Sequence, residues 1–170
     1  MDGRLLQQGT GGRRIIVIAT SIGAASSASM LNSANFVLYN SAQKIIWQSF
    51  DYPTNTLLSS HHLLAGQQLL SSISESDHST GIFRLKMQSD GNLVQYPVDT
   101  SDITPYAYYA SGIDGWGDNR TLNLDADGYL YLLNCTSYNM KNLTNGGYTT
   151  TETIYLMRID AEYTTTMEDI

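Results

Sequence analysis

The stretch FRLKMQSDGNLVQY, residues 83–96, constrains this chain more than any other. Phe83, Leu85 and Met87 alternate with Arg84, Lys86 and Gln88, the period of a strand with one buried face. Ser89-Asp90-Gly91 supplies turn chemistry, since Gly91 can take positive φ and Asp90 can bond its own backbone. Beyond the turn, Asn92, Val94 and Tyr96 share one face and Leu93 points to the other. The result is a tight hairpin that gathers Gln88, Asp90, Asn92 and Tyr96 around the small apolar Val94. Amide, carboxylate and phenol groups this close together can meet vicinal hydroxyls, such as those of a sugar, with paired donors and acceptors.

The same hairpin recurs in altered form. In MLNSANFVLY (residues 30–39) the five matching positions are Leu31, Ser33, Asn35, Val37 and Tyr39. The Gln and Asp equivalents are lost, so this copy reads as structural. In TLNLDADGYLYLL (residues 121–133) they are Asp125, Asp127, Tyr129, Tyr131 and Leu133, and Tyr131 in place of Val would crowd a pocket. Turns begin at residues 2, 34, 90 and 127, and the interval between the second and third is the longest. A hairpin repeat of roughly 30–40 residues fits three similar sheets packed around one core, because a single sheet cannot bury its own apolar face. The long interval marks a join near residues 59–67, with one unit at 1–60 and a second at 61–170.

Composition agrees with an all-β chain. Twelve Tyr, fourteen Gly and many Ser and Thr favour strands and turns, and 42% hydrophobic residues suffice for a core. The net charge of −7 and the absence of any basic run beyond Arg13-Arg14 argue against a nucleic-acid partner. Residues 13–28 combine that Arg pair with Ile15-Ile16-Val17-Ile18 and a small-residue tract, imitating a signal peptide. The apolar core is short and starts late, so a β-branched strand over Ile15–Ile18 is the preferred reading. No stretch reaches the length of a membrane span.

Other candidates are weaker. His61-His62 has no third ligand spaced to join it, so no metal is expected, and both histidines are read as solvent-exposed linker residues within Ser59–Gln67. Ser71–Thr80 reads as a polar surface loop. Tyr106, Tyr108, Tyr109 and Trp116 could stack on a sugar ring, but packing beneath their own loop is favoured. Asp125 and Asp127 read as turn acids rather than a hydrolase pair. Cys135 is the only cysteine and can form no internal disulfide. Asn119, Asn134 and Asn142 head sequons and are possible glycosylation sites, which suits an extracellular module. No nucleophile elbow, phosphate loop or kinase signature is present, so neither an enzyme nor a cofactor is expected.

Two motifs carry a resemblance. The pattern Q-x-D-x-N-x-V-x-Y, filled by Gln88, Asp90, Asn92, Val94 and Tyr96, resembles the mannose site of the bulb-type (monocot mannose-binding) lectins. The segment WQSFDYPTNTLL, Trp47 to Leu58, is similar to the WQSFDxPTDTLL segment of plant G-type lectin S-receptor-like serine/threonine kinases. The resemblance implies the β-prism II fold and a non-catalytic, mannose-type glycan-binding module of an extracellular or cell-surface receptor region. It implies that Asp90 and Asn92 grip one ring hydroxyl, that Gln88 and Tyr96 take neighbouring ones, and that Val94 contacts ring carbons. Against that family the chain reads as trimmed at both ends, with an atypical or missing closing strand. Open sheet edges would then favour a homo- or hetero-dimer. The rival expectation is a protein-interaction ectodomain, or a truncated fragment, that keeps the fold without binding sugar.

Overall fold

The structure, a computed structural model, describes residues 4–8, 15–20, 23–74, 76–113, 120–134, 136, 140–144, 155–158 and 166–169. Its contacts divide the chain into two compact units, Met1–Tyr52 and Pro53–Ile170.

In the first unit, β1 (Arg4–Gln8) pairs antiparallel with β2 (Ile15–Thr20), so Ile15–Ile18 forms the expected strand. The strands β3 (Ser27–Met30), β4 (Phe36–Tyr39) and β5 (Ile45–Gln48) form an antiparallel sheet in that order. Leu38 and Trp47 make its small core, flanked by Ala25, Phe36 and Ile46. Trp47 stacks on Tyr52 at 5.5 Å and meets the edge of Phe36 at 6.4 Å. Trp47 is the buried anchor its size predicts, whereas Phe50 is only half-buried.

Among its described residues the second unit has three antiparallel sheets. One has the order β11 (Tyr109–Ala110), β10 (Leu93–Pro97), β9 (Thr80–Met87), β8 (Gln68–Ser72). The next runs β14 (Met140–Asn142), β13 (Leu130–Asn134), β12 (Arg120–Leu124), β7 (His62–Leu64). The third is β16 (Thr166–Asp169), β15 (Tyr155–Arg158), β6 (Thr56–Leu58). Leu57, Leu63, Leu69, Met87 and Leu122, drawn from all three sheets, are fully buried in one cluster. Each such side chain contributes about 1.5–3 kcal/mol by leaving water, so this shared core is what draws the sheets together. The all-β, hairpin-built architecture expected from the sequence is the one adopted.

Two segments read as connectors are strand in part. Within Ser59–Gln67, β7 pairs with β12 because Leu63 is buried in the core while His62 and Leu64 face outward. The side chains alternate in burial but not in polarity, which hid the strand. His61 is correspondingly buried, only 4% exposed, while His62 is exposed as expected. The other correction concerns Ser71–Thr80, where β8 runs through Ser72 and the loop is shorter. Ser71 and Ser72 are buried because their hydroxyls have partners. Ser71 Oγ accepts from the Phe83 amide at 3.0 Å, where the β8–β9 register shifts, and Ser72 Oγ accepts from Asn55 Nδ2 at 2.5 Å.

The three hairpins share one turn. The amides of Leu31, Gln88 and Asp125 donate to the carbonyls of Asn35, Asn92 and Tyr129. Ala34, Gly91 and Gly128 donate back to Leu31, Gln88 and Asp125 and take φ of 62°, 88° and 76°. This is a three-residue hairpin loop closed by a left-handed residue, the conformation for which Asp-Gly is suited.

Candidate functional site

The site is built on β9, the 89–91 turn and β10. Val94 pairs with Lys86, and Tyr96 with Arg84, so these four side chains share the face opposite Leu85 and Met87. Alternation along the hairpin fixes which side chains share this face but not what lies over it. It is partly covered, because residues 98–108 fold back from Pro97 and rejoin the sheet as β11, leaving Leu93 to Tyr96 all buried.

What remains is a cavity of about 510 Å³. All five sequence-predicted residues, Gln88, Asp90, Asn92, Val94 and Tyr96, line it. Asp102, Ile103, Thr104 and Ala107 of the covering segment line it as well, as do Ala110 and Gly112. Asp90 Oδ1 accepts from the Asn92 amide at 2.9 Å, which fixes the turn, and its other oxygen makes no hydrogen bond to a described residue. Gln88 Nε2 donates to the Tyr96 hydroxyl at 2.9 Å, so these two groups form one unit rather than acting separately. That hydroxyl keeps its own proton to donate. Beneath the Tyr96 ring lies the Arg84 guanidinium, 4.9 Å from the centroid.

Arg84 is buried, and its side chain secures the covering segment and the sheet beside it. It pairs with Asp102 at 2.6 Å and donates to the carbonyls of Thr100 at 2.7 Å and Pro97 at 3.4 Å, and to Gln68 Oε1 at 3.4 Å. Lys86 reaches the other oxygen of Asp102 at 2.5 Å. The hydrogen bond from Lys86, assisted by both cations, holds the Asp102 carboxyl below its ordinary 3.8.

Sequence reasoning missed Ser111. Its Oγ donates to Asn92 Oδ1 at 2.7 Å and accepts from the Leu93 amide at 3.0 Å. That leaves Asn92 Nδ2, which makes no hydrogen bond to a described residue, as the amide's free end. Lys141 of β14 donates to the Ser111 carbonyl. The first hairpin uses the same device: Ser49 Oγ donates to Asn35 Oδ1 at 3.1 Å and accepts from the Phe36 amide at 3.0 Å. In the third, Thr144 Oγ1 accepts from Leu130 at 3.0 Å. A Ser or Thr following each hairpin was the signal available, and it shows only when the repeats are aligned.

The copies differ in what the Asn can still do. Asn35 Nδ2 is bonded to Gln48 Oε1 at 3.1 Å, and Gln48 in turn to Asp51 at 2.8 Å, so WQSFD clasps its own hairpin. Gln48 sits opposite Val37, whereas Ala110 sits opposite Val94. A methyl group replaces an amide there, and the second hairpin is left unclasped. In the third, Asp125 Oδ1 accepts from the amides of Asp127 and Tyr129, the turn role expected of it. Burial, together with the charge of Asp125, raises the Tyr131 phenol.

Arg120 is also buried, with Nη1 donating to the Ile113 carbonyl at 3.2 Å. Burial lowers its pKa and the charge of Asp90 opposes that, which places the cation within electrostatic reach of the turn.

The remaining candidates separate. Tyr106, Tyr108 and Tyr109 are exposed and not packed beneath their loop; Tyr108 tilts against Phe83 at 5.4 Å, and none of the three lines the cavity. Asn142 is exposed. Asn134 is 4% exposed with Oδ1 taken by the Thr136 amide, a placement that burial makes unsuited to carrying a glycan in the folded chain. Asn119, Trp116 and Cys135 lie outside the described residues. Among the described residues no group of three or more His, Cys, Asp or Glu gathers as a metal site, and no helix is long and apolar enough to cross a membrane.

Three antiparallel sheets around one core, each of two carrying a copy of the same hairpin, define the second unit as a β-prism II, the fold of the bulb lectins. The snowdrop (Galanthus nivalis) bulb agglutinin, a mannose-specific lectin solved with methyl-α-D-mannoside, shares it at a TM-score of 0.51 and 24% identity, over 67% of this chain and 88% of that one. A mannose-specific lectin from Dutch crocus gives 0.52 and 21%, with the same coverage. Residues 3–78 match the family described as D-mannose binding lectin. The G-type lectin S-receptor-like serine/threonine-protein kinase LECRK2 of Oryza sativa subsp. indica is 36% identical over 118 residues, and RLK1 of Arabidopsis thaliana 29% over 124. These alignments take in 66% and 68% of this chain but only 14% and 15% of those kinases. The family match ends before Phe83, and the intact hairpin lies beyond it.

Proposed function

We propose that this chain is a non-catalytic carbohydrate-recognition module that binds mannose-type glycans through Gln88, Asp90, Asn92, Val94 and Tyr96. One observation carries the reading: of the two Asn-bearing hairpins, only the second keeps its Asn donor and a carboxylate oxygen unbonded, beside a cavity that all five side chains line. Asn92 Nδ2 and the free Asp90 oxygen suit one ring hydroxyl. The Gln88–Tyr96 pair suits its neighbours, with Val94 against ring carbons. Single-site affinity is expected on the order of millimolar, because few atoms are buried and hydroxyls must lose water.

Similarity to receptor kinases favours an extracellular setting within a longer receptor, with the later part of one lectin unit preceding a second. Asn142 is then the better-placed glycan acceptor. Avidity would come from pairing of chains, for which the wholly exposed edge strand β3 offers backbone groups. Titrating methyl-α-D-mannoside against wild type and Asn92→Ala tests the reading. Binding lost in the variant supports it; equal binding, or none in either, refutes it and leaves the protein-interaction reading.

A further inference from the structure

We propose that Asn142 carries an N-linked glycan whose first sugar lies on the Tyr131 ring, closing the outer face of the third hairpin. The inference takes the extracellular reading above as its setting and is independent of the mannose site. Asn142-Leu143-Thr144 is a sequon whose Asn is exposed, and the Asn142 side chain makes no hydrogen bond to a described residue. In the attachment step its amide nitrogen bonds to the anomeric carbon of a lipid-diphosphate-linked oligosaccharide. The anomeric C–O bond breaks, the lipid diphosphate leaves, and one amide proton passes to a base.

Register decides what the attached sugar meets. Asn142 of β14 stands opposite Tyr131 of β13, which stands opposite Asn123 of β12. Directly opposed residues share a face, with Cβ atoms about 4.5–5.5 Å apart. Leu122 and Leu132, one step along, are buried in the core, so the row of Asn123, Tyr131 and Asn142 faces outward. Leu143 packs against that core, and its amide and that of Thr144 donate to the Leu130 carbonyl, which fixes the acceptor at this position. Tyr131 occupies the place that Val94 holds in the second hairpin, where the small side chain leaves a cavity above the strand. A half-buried phenol fills that space and offers a flat apolar ring to the sugar beside it. Tethering holds the sugar at high effective concentration, so a contact too weak to retain a free sugar is populated.

The test directs the whole chain through a eukaryotic secretory compartment with a cleavable leader. Wild type, Tyr131→Phe and Tyr131→Leu are each made with and without Asn142→Gln. Peptide mass mapping should find a glycan on the peptide bearing Asn142. Asn142→Gln should then lower the wild-type urea midpoint by about 0.5 M, the value of uncovering one ring face over a typical urea slope. The loss should persist with Tyr131→Phe and vanish with Tyr131→Leu. Trimming the glycan enzymatically to its first sugar should leave the wild-type midpoint unchanged. Where Tyr131→Leu does not unfold cooperatively, ring-current shifts of the first sugar's protons in wild type read the same contact. An unglycosylated Asn142, a midpoint indifferent to the glycan, an equal loss in all three backgrounds, or sugar protons without ring-current shifts overturns the proposal. None of these outcomes bears on the mannoside titration.

Discussion

Replacing Ser111 by Ala separates the roles that one hydroxyl combines. The Leu93 amide donates to Ser111 Oγ and sits in a buried strand, so the variant leaves a buried N–H without that acceptor. The cost is about 1–3 kcal/mol of unfolding free energy. The same change removes the bond to Asn92 Oδ1, after which the amide can rotate or flip. Ordering it again on binding costs about 0.5–1.5 kcal/mol, a roughly two- to tenfold loss of mannoside affinity. Urea unfolding reads the first effect and calorimetric titration the second. A double-mutant cycle with Asn92→Ala then isolates the coupling. Once Asn92 is gone, Ser111→Ala should weaken binding no further. If Ser111→Ala destabilises the fold but leaves affinity intact, or if the two losses simply add, Ser111 does not orient Asn92.

Two further outcomes follow from packing and charge. A Cβ at Gly81 would lie 2.6 Å from the Ser72 carbonyl oxygen and 2.5 Å from Ser71 Oγ, so Gly81→Ala must push β8 and β9 apart. A loss of about 1–3 kcal/mol in urea unfolding is expected, and an unchanged midpoint would contradict the close approach. Asp102 has a folded pKa below 3.8, so its stabilisation is complete above that ordinary value and is lost as pH falls through the folded one. With Asp102 a third exposed, the effect is at most about 1 kcal/mol. Asp102→Asn should flatten the fall in stability over that acid range, measured by urea unfolding at stepped pH.

Much of the fold was legible because hairpins are local. Alternation in 83–88, an Asp-Gly turn and the return arm fix which side chains share a face, and the register observed between Arg84 and Tyr96 is the one those signals imply. The strand over Ile15–Ile18 was readable for the same reason. His61 and β7 were not, because a run of His-His-Leu-Leu acquires its inside and outside only when β12 pairs with it.

The hairpins, their turn residues and the five side chains that the central one brings together follow from local pattern, since each depends on neighbours a few residues away. Tertiary structure alone decided that Asn35 is clasped by Gln48 while Asn92 is left open beside Ala110. It also decided that Ser111 orients the Asn92 amide and that Asp102 ties the covering segment to the sheet. The physical reason is separation along the chain: these contacts join residues 13 to 19 positions apart, and only the packed sheets bring them within hydrogen-bonding distance.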